Sequence, residues 1–335
     1  MESLLEKNLT FGNFAIYFIF AVVLLFLVLG FVTMAILAER KVIGWSQARI
    51  GPNRVGPFGL LQTVADVLKL LIKEDTIPQN ADRALFILAP VITFVPSFVV
   101  LATIPYTSTI HFADLDVGVL YYVALSGIST IGIILGGWAS NNKYALIGGM
   151  RSAAQMISYE IPLVLSVVGV IMISGSMDLK TVVAGQEGYF WNWNFIPQIL
   201  GFCVFIVAAI AELNRTPFDL PEAESELVAG YFVEYSGFRW AFFMLAEYVY
   251  MFAIAALTTH LFLGGWHAPA PFLEFIPGII WFLLKFAAVV FVLFWVRTTM
   301  PRLRIDQLMG LGWKWLLPLS LINIFVTAFV LELVK

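Results

Sequence analysis

With 335 residues, 61% of them hydrophobic and only 12% charged, the chain lacks the polar surface of a soluble domain, where about a quarter of residues carry charge. A mean hydropathy of +0.91 and 15% aromatic residues point to an integral membrane protein. The net charge of −3 is small and gives no reason to expect a nucleic-acid partner, while one Cys and three His are too few to hold an iron–sulfur cluster or a two-haem site.

In chain order, eight apolar segments reach the roughly twenty residues that cross about 30 Å of hydrocarbon. They cover 14–38, 84–105, 117–140, 157–176, 195–213, 239–264, 275–297 and 312–334. Helices are expected, because backbone groups in lipid must be satisfied within the segment. The first run follows Glu2, Glu6 and Lys7 and is too long for a cleavable signal, so it reads as a retained span. The expected fold is all-α, a single membrane domain over 1–335 with eight transmembrane helices.

Lysine and arginine set the orientation. The connection 39–83 carries Arg40, Lys41, Arg49, Arg54, Lys69, Lys73 and Arg83. Lys143, Arg151, Arg215, Arg239, Arg297, Arg302, Arg304 and Lys314 fall on the same face, against Lys7, Lys180 and Lys335 on the other, with Lys285 inside a span. The basic face is expected to be cytoplasmic and both termini outside.

Within 39–83, "RIGPNRVGP" (49–57) reads as a stiff turn. The following segment, 57–74, is amphipathic. Leu60, Val64, Leu68, Leu71 and Ile72 form one stripe, and Gln62, Asp66, Lys69 and Lys73 another, at helical spacing. One reading is an interfacial helix at the headgroups with a solvated polar face. The other turns the polar stripe towards a protein cavity.

Carboxylates at span positions are costly, about 2.5–3.5 kcal/mol on insertion scales, and so are rarely accidental. Glu160, Glu212 and Glu247 are such residues. Glu247 could pair with Lys285 as a purely structural ion pair, or the three could form a file of titratable groups. "AELNRTPFDLPEAESELVAG" (211–230) adds Asp219, Glu222, Glu224 and Glu226, with Arg215 as its one base. Past Pro221, Glu222 and Glu226 share a helical face, where like charges repel. A solvated acidic loop is one explanation. The other is a crowded, partly dry cluster whose members titrate together and exchange protons when a nearby charge changes. Arg302 and Arg304 are either topology charges or a docking site for an acidic soluble partner. His260 and His267 are read as interfacial and given no role.

Four stretches, "ERKVIGWSQARIGPNRVGPFGLLQTVADVLKLLIKED" (39–75), "RSAAQMISYEIP" (151–162), "AELNRTPFDLPEAESELVAGYFVEYS" (211–236) and "WVRTTMPRLRIDQLM" (295–309), resemble one family of membrane subunits of bacterial NADH-quinone oxidoreductase. The mitochondrial equivalent of that family is NADH dehydrogenase subunit 1 of respiratory complex I. The likeness runs from the first span to the last; only the N-terminal dozen and the loop 177–194 lack family features.

The resemblance implies an eight-span subunit of the bacterial inner membrane at the heel of an L-shaped, proton-translocating complex. It implies a quinone substrate, other membrane and soluble subunits as partners, and FMN and iron–sulfur clusters in those partners, with no cofactor or metal bound by this chain itself. Carried over by position, Glu39, Arg40, Arg49, Asp66, Lys69, Arg215, Asp219 and Glu222 would line the quinone chamber. Glu160, Glu212, Glu224, Glu226 and Glu247 would form the proton path. The nearest alternative is the related ion-translocating membrane subunit of energy-converting hydrogenases or formate hydrogenlyases. A stand-alone transporter would show inverted repeats and broken helices, which the sequence lacks.

Overall fold

In the computed structural model, residues 11–108, 110–113, 115–220 and 227–334 are described. The described residues form helices and connecting turns, with no strand among them. In chain order the helices are α1 (Phe11–Ser46), α2 (Gln62–Ile72), α3 (Arg83–Val99), α4 (Gly118–Ala139), α5 (Lys143–Ser174), α6 (Leu179–Ala184), α7 (Ile199–Glu212), α8 (Gly237–Phe262), α9 (Gly278–Thr299), α10 (Ile305–Leu311) and α11 (Leu317–Val334). A π-helical turn, Gly312–Leu316, joins α10 to α11 without a break.

Among the described residues, seven helical stretches are long and apolar enough to cross a membrane: Tyr17–Ser46, Arg83–Thr103, Gly118–Ala139, Lys143–Ser174, Gly237–Phe262, Gly278–Thr299 and Ile305–Leu333. They make the chain a multi-pass membrane protein. The segment expected at 195–213 is the shorter apolar helix α7.

Helix ends depart most from the apolar runs in α1 and α5. Helix α1 continues past 38 through Glu39, Arg40 and Lys41 to Ser46, and α5 begins at Lys143, well before the expected 157. Asn142 caps α5, its side chain accepting from the Tyr144 N–H at 2.9 Å, which satisfies a donor the helix leaves open. Hydropathy marks where a helix meets lipid. Polar residues that meet neighbouring helices stay helical without that mark.

Helix α8 is the centre of the bundle, with Met251, Ile254 and Leu257 at 1% exposure or less. Small residues let its neighbours close in, as in other membrane bundles. A Cβ on Gly148 of α5 would lie 2.6 Å from the Cα of Gly230, and Gly230 itself has a φ of +54°. The two backbones touch there, and nothing flexible lies between them.

A polar seam ties α11 to the bundle. Asn323 donates to Gln198 Oε1 at 2.7 Å, and Gln198 donates to Thr327 Oγ1 at 2.7 Å. At the π-turn, Trp313 Nε1 donates to Ser158 Oγ at 3.2 Å. Near it, Tyr159 donates its hydroxyl to the Leu308 carbonyl at 2.8 Å.

Helix α2 is amphipathic as expected but shorter than 57–74. Leu68, Leu71 and Ile72 lie open on the surface, while Thr63 is buried and donates to the Thr33 carbonyl of α1 at 3.1 Å.

Candidate functional site

The site is built on the turn that follows α7. After Glu212 the chain reverses through Asn214, whose φ of +50° puts it in a left-handed conformation that asparagine tolerates better than most residues. Gln155 of α5 holds this turn from behind, its side-chain amide donating to the carbonyls of Ala211 and Phe218, each at 2.8 Å. On the far side, the Leu303 N–H donates to the Pro217 carbonyl at 3.0 Å.

Held this way, Arg215 is buried between α1, α8 and the turn. Its Nη1 donates to Glu39 Oε2 at 2.6 Å, and its Nε donates to Glu247 Oε1. The guanidinium carbon stands 4.3 Å from the centre of the Tyr248 ring, and the Tyr248 hydroxyl donates to Glu39 Oε2 at 2.9 Å. Arg297 of α9 donates to the other oxygen of Glu39. Two arginines and two glutamates therefore balance in a place with little water, where an unmatched charge would be expensive. Burial opposes the charge on Arg215, but Glu247 and Glu39 outweigh it and hold the guanidinium well above its ordinary pKa.

Asp219 is a second, looser pair. Its Oδ2 accepts from Arg302 Nη2 at 3.0 Å, and its Oδ1 is buried with no hydrogen-bond partner among the described residues. Burial raises its pKa and prevails over the opposing pull of Arg302. Near the C-terminal end of α1, Arg40 Nη1 donates to Asp66 Oδ2 at 2.5 Å, with Lys69 3.8 Å from the other oxygen. Arg40, Arg49, Arg54 and Gln62 face a cavity of about 560 Å³.

A third group lies deeper. Glu212 is buried, its Oε2 unpartnered among the described residues, and it interacts electrostatically with Glu160 of α5 and with Tyr122 and Tyr250. Gly127 leaves room for Glu160, whose Oε1 is 3.2 Å from where a Cβ would sit.

The structure thus gathers Glu39, Arg215 and Glu247 into one network, Arg40, Asp66 and Lys69 into another, and sets Glu160 near Glu212. Arg49 bonds Gln47 at 2.6 Å and stays at the surface. Arg302 is engaged within the chain by Asp219, whereas Arg304 is 81% exposed and pairs with Asp306 at 3.4 Å. Glu222, Glu224 and Glu226 lie outside the described residues.

One open alternative is decided and one expectation is corrected. Glu247 does not pair with Lys285: α8 and α9 run antiparallel, so the two side chains sit at different depths. Lys285 instead donates to the carbonyls of Gly265 and His267 at 3.0 and 2.7 Å. His260 is fully buried and stacked on Phe282 with ring centres 5.2 Å apart, so it is a core residue and not an interfacial one.

Three contributors escaped the sequence reading. Arg297 has the look of a topology charge, although it closes an apolar run much as Glu247 interrupts one. Tyr248 had the signal of adjacency to Glu247. Gln155, a lone amide among small and apolar residues, had no signal that distinguishes it from helix glue.

The family described as NADH dehydrogenase matches residues 19–328. The chain belongs to that family. A relative from Anoxybacillus flavithermus, named as a subunit of NADH-quinone oxidoreductase, is 67% identical over 334 residues, 99% of each chain. Proteins of the same name from Bacillus cytotoxicus and Bacillus thuringiensis are 65% identical over the same length and coverage. Within the family, the likeness covers every element that supplies the Arg215 network, from α1 through α9.

Proposed function

We propose that the chain is the membrane subunit of a proton-translocating NADH:quinone oxidoreductase, in which it forms the quinone chamber with soluble partner subunits and begins the acidic path that couples quinone reduction to proton pumping. The observation that carries this reading is the buried, charge-balanced set Glu39–Arg215–Glu247–Arg297 together with a further buried acid, Glu212, whose Oε2 has no partner among the described residues. Iron–sulfur clusters and FMN held by the partners would supply the electrons. A quinone that gains two electrons must also gain two protons to become a quinol. Two negative charges arriving beside a balanced network disturb it, and protons then move among the neighbouring carboxylates in response. Asp219, Glu222, Arg40, Arg49, Asp66 and Lys69 complete the chamber. Glu160, Glu212, Glu224, Glu226 and Glu247 form the proton path, and Arg304 with Arg302 faces the docked partner.

In this reading the chain is one membrane domain of eight passages, the segment around α7 being the eighth. The open apolar stripe of α2 lies at the lipid headgroups, and its polar side, with Asp66, turns to the chamber. The basic loops are cytoplasmic, both termini are outside, and the membrane is the bacterial inner membrane. The full-length relatives, which are named for quinone reduction, favour this function over the hydrogenase-type subunit.

The test is Glu212→Gln in the assembled complex. NADH-driven quinone reduction and proton pumping both fall by about 10²-fold or more, the range in which general acid–base groups contribute, while the complex assembles normally. Wild-type rates in that variant would remove Glu212 from the path.

A further inference from the structure

Helix α4 carries a buried polar stripe. Tyr122, Ser126 and Ser129 follow one another at helical spacing, at 1%, 4% and 2% exposure, and so share one face of the span. Around this face stand Glu212 at the end of α7, Glu160 on α5 and Tyr250 on α8. Most of the hydroxyl protons in the group are already taken. Ser126 donates to the Val123 carbonyl at 2.9 Å and Ser129 to the Ser126 carbonyl at 2.7 Å, the back-bonding that lets serine sit inside a helix. Tyr250 donates across to the Leu125 carbonyl of α4 at 3.1 Å.

Tyr122 is the exception. Its hydroxyl is buried and has no partner among the described residues, and neither has Oε2 of Glu212, with which it interacts electrostatically. An orphaned donor and an orphaned acceptor thus belong to one buried group without being bonded to each other. A hydroxyl left in that state costs free energy, and phenylalanine in the same place would avoid the cost. Polar groups placed like this are bridged in proteins by an ordered water, which needs two to four polar partners. We propose that Tyr122 is a positioning residue for Glu212, holding one water that bridges the tyrosine hydroxyl to Glu212 Oε2.

The hydrogen bonds balance. The water accepts from Tyr122, donates one proton to Glu212 Oε2, and donates the other to the oxygen of Tyr250, which can accept because its own proton is given to Leu125. This inference rests on the reading of Glu212 as a member of the proton path and deepens it. A carboxyl group exchanges protons only with groups it reaches by a hydrogen bond or through one water. The water held by Tyr122 gives Glu212 such a neighbour on its buried side and fixes the orientation of its side chain. Tyr250 interacts electrostatically with Glu160 as well as with Glu212, so a change of charge on either acid is felt at the same water.

The test uses the assembled complex with Tyr122→Phe, which keeps the ring and removes only the hydroxyl. The kcat of quinone reduction falls about tenfold, the effect of losing one hydrogen bond to a charged group. The KM for quinone is unchanged, because Tyr122 is not among the chamber residues. Redox-induced infrared difference spectra follow Glu212 directly: the band that Glu212→Gln removes moves to a new frequency in Tyr122→Phe. Because Tyr122 acts through Glu212, adding Tyr122→Phe to Glu212→Gln costs no further activity. A wild-type kcat or an unmoved Glu212 band in Tyr122→Phe overturns the proposal, as does a double variant about tenfold slower than Glu212→Gln alone. Those failures leave Glu212 in the proton path; wild-type rates in Glu212→Gln itself would remove both readings together.

Discussion

Arg215 and Glu39, 176 positions apart in sequence, meet at 2.6 Å inside the bundle, and each is bound to a further partner of opposite charge, Glu247 and Arg297. The four charges alternate along one line, Glu247–Arg215–Glu39–Arg297, so removing any one member leaves a buried charge without its match. Arg215→Met is expected to destabilise the chain by about 3–5 kcal/mol, the range for breaking one side of a buried pair. Thermal unfolding in detergent, compared with a Glu39→Gln/Arg215→Met double variant, checks this. The double variant recovers part of the loss because one stranded charge is gone, and an unchanged midpoint in the single variant would refute the network's role.

Asp219 gives a pH-dependent signature. Its pKa is raised above the ordinary 3.8 by burial, so the folded chain holds this proton more tightly than the unfolded chain. By linkage, stability is greatest with the proton on and falls as pH rises from about 3.8 through the raised value. Asp219→Asn removes that slope, so its stability profile in the acidic range is flatter than that of wild type. Parallel profiles for the two proteins would contradict the assignment.

Gln155 ties α5 to the Arg215 turn by two hydrogen bonds. Gln155→Leu leaves the Phe218 carbonyl without its donor and the Ala211 carbonyl with only the Asn214 N–H, and costs about 1–3 kcal/mol for the group that stays unsatisfied. Because the turn also aims Arg215, the variant loses quinone reduction beyond what its stability loss explains. Gln155→Met, which fills the space without the bonds, should be equally impaired; activity restored by volume alone would make Gln155 a packing residue.

Gly148→Ala tests the closest backbone contact between α5 and the Gly230 turn. The added methyl meets the Gly230 backbone at 2.6 Å, and backbone cannot yield as a flexible side chain can. A loss of about 1–3 kcal/mol, typical of overpacking, is expected in the thermal midpoint, whereas Gly310→Ala, which meets nothing within 4 Å, should be silent.

The spans were legible because the bilayer imposes one length and one chemistry on everything that crosses it, and α3, α4, α8 and α9 fall close to their expected bounds. What the apolar pattern does not carry is how far a helix continues once it leaves lipid, hence the extensions of α1 and α5. Pairing was left open for a different reason. Matching Glu247 with Lys285 used adjacency of spans alone and ignored depth along antiparallel helices, where each residue of offset is about 1.5 Å of rise. The true partner, Arg215, lay outside any span, brought in by a turn whose shape depends on Asn214 and on the distant Gln155.

The widened turn at Gly312–Leu316 takes up one residue more than an ordinary helix would need. Wound as a regular α-helix, the same sequence would rotate everything beyond it by about 100°, and Asn323 would swing from Gln198 towards hydrocarbon. The turn is therefore a phase corrector for the last helix. A one-residue deletion within it should be absorbed by straightening, while the same deletion three or four residues later would strand an amide among acyl chains.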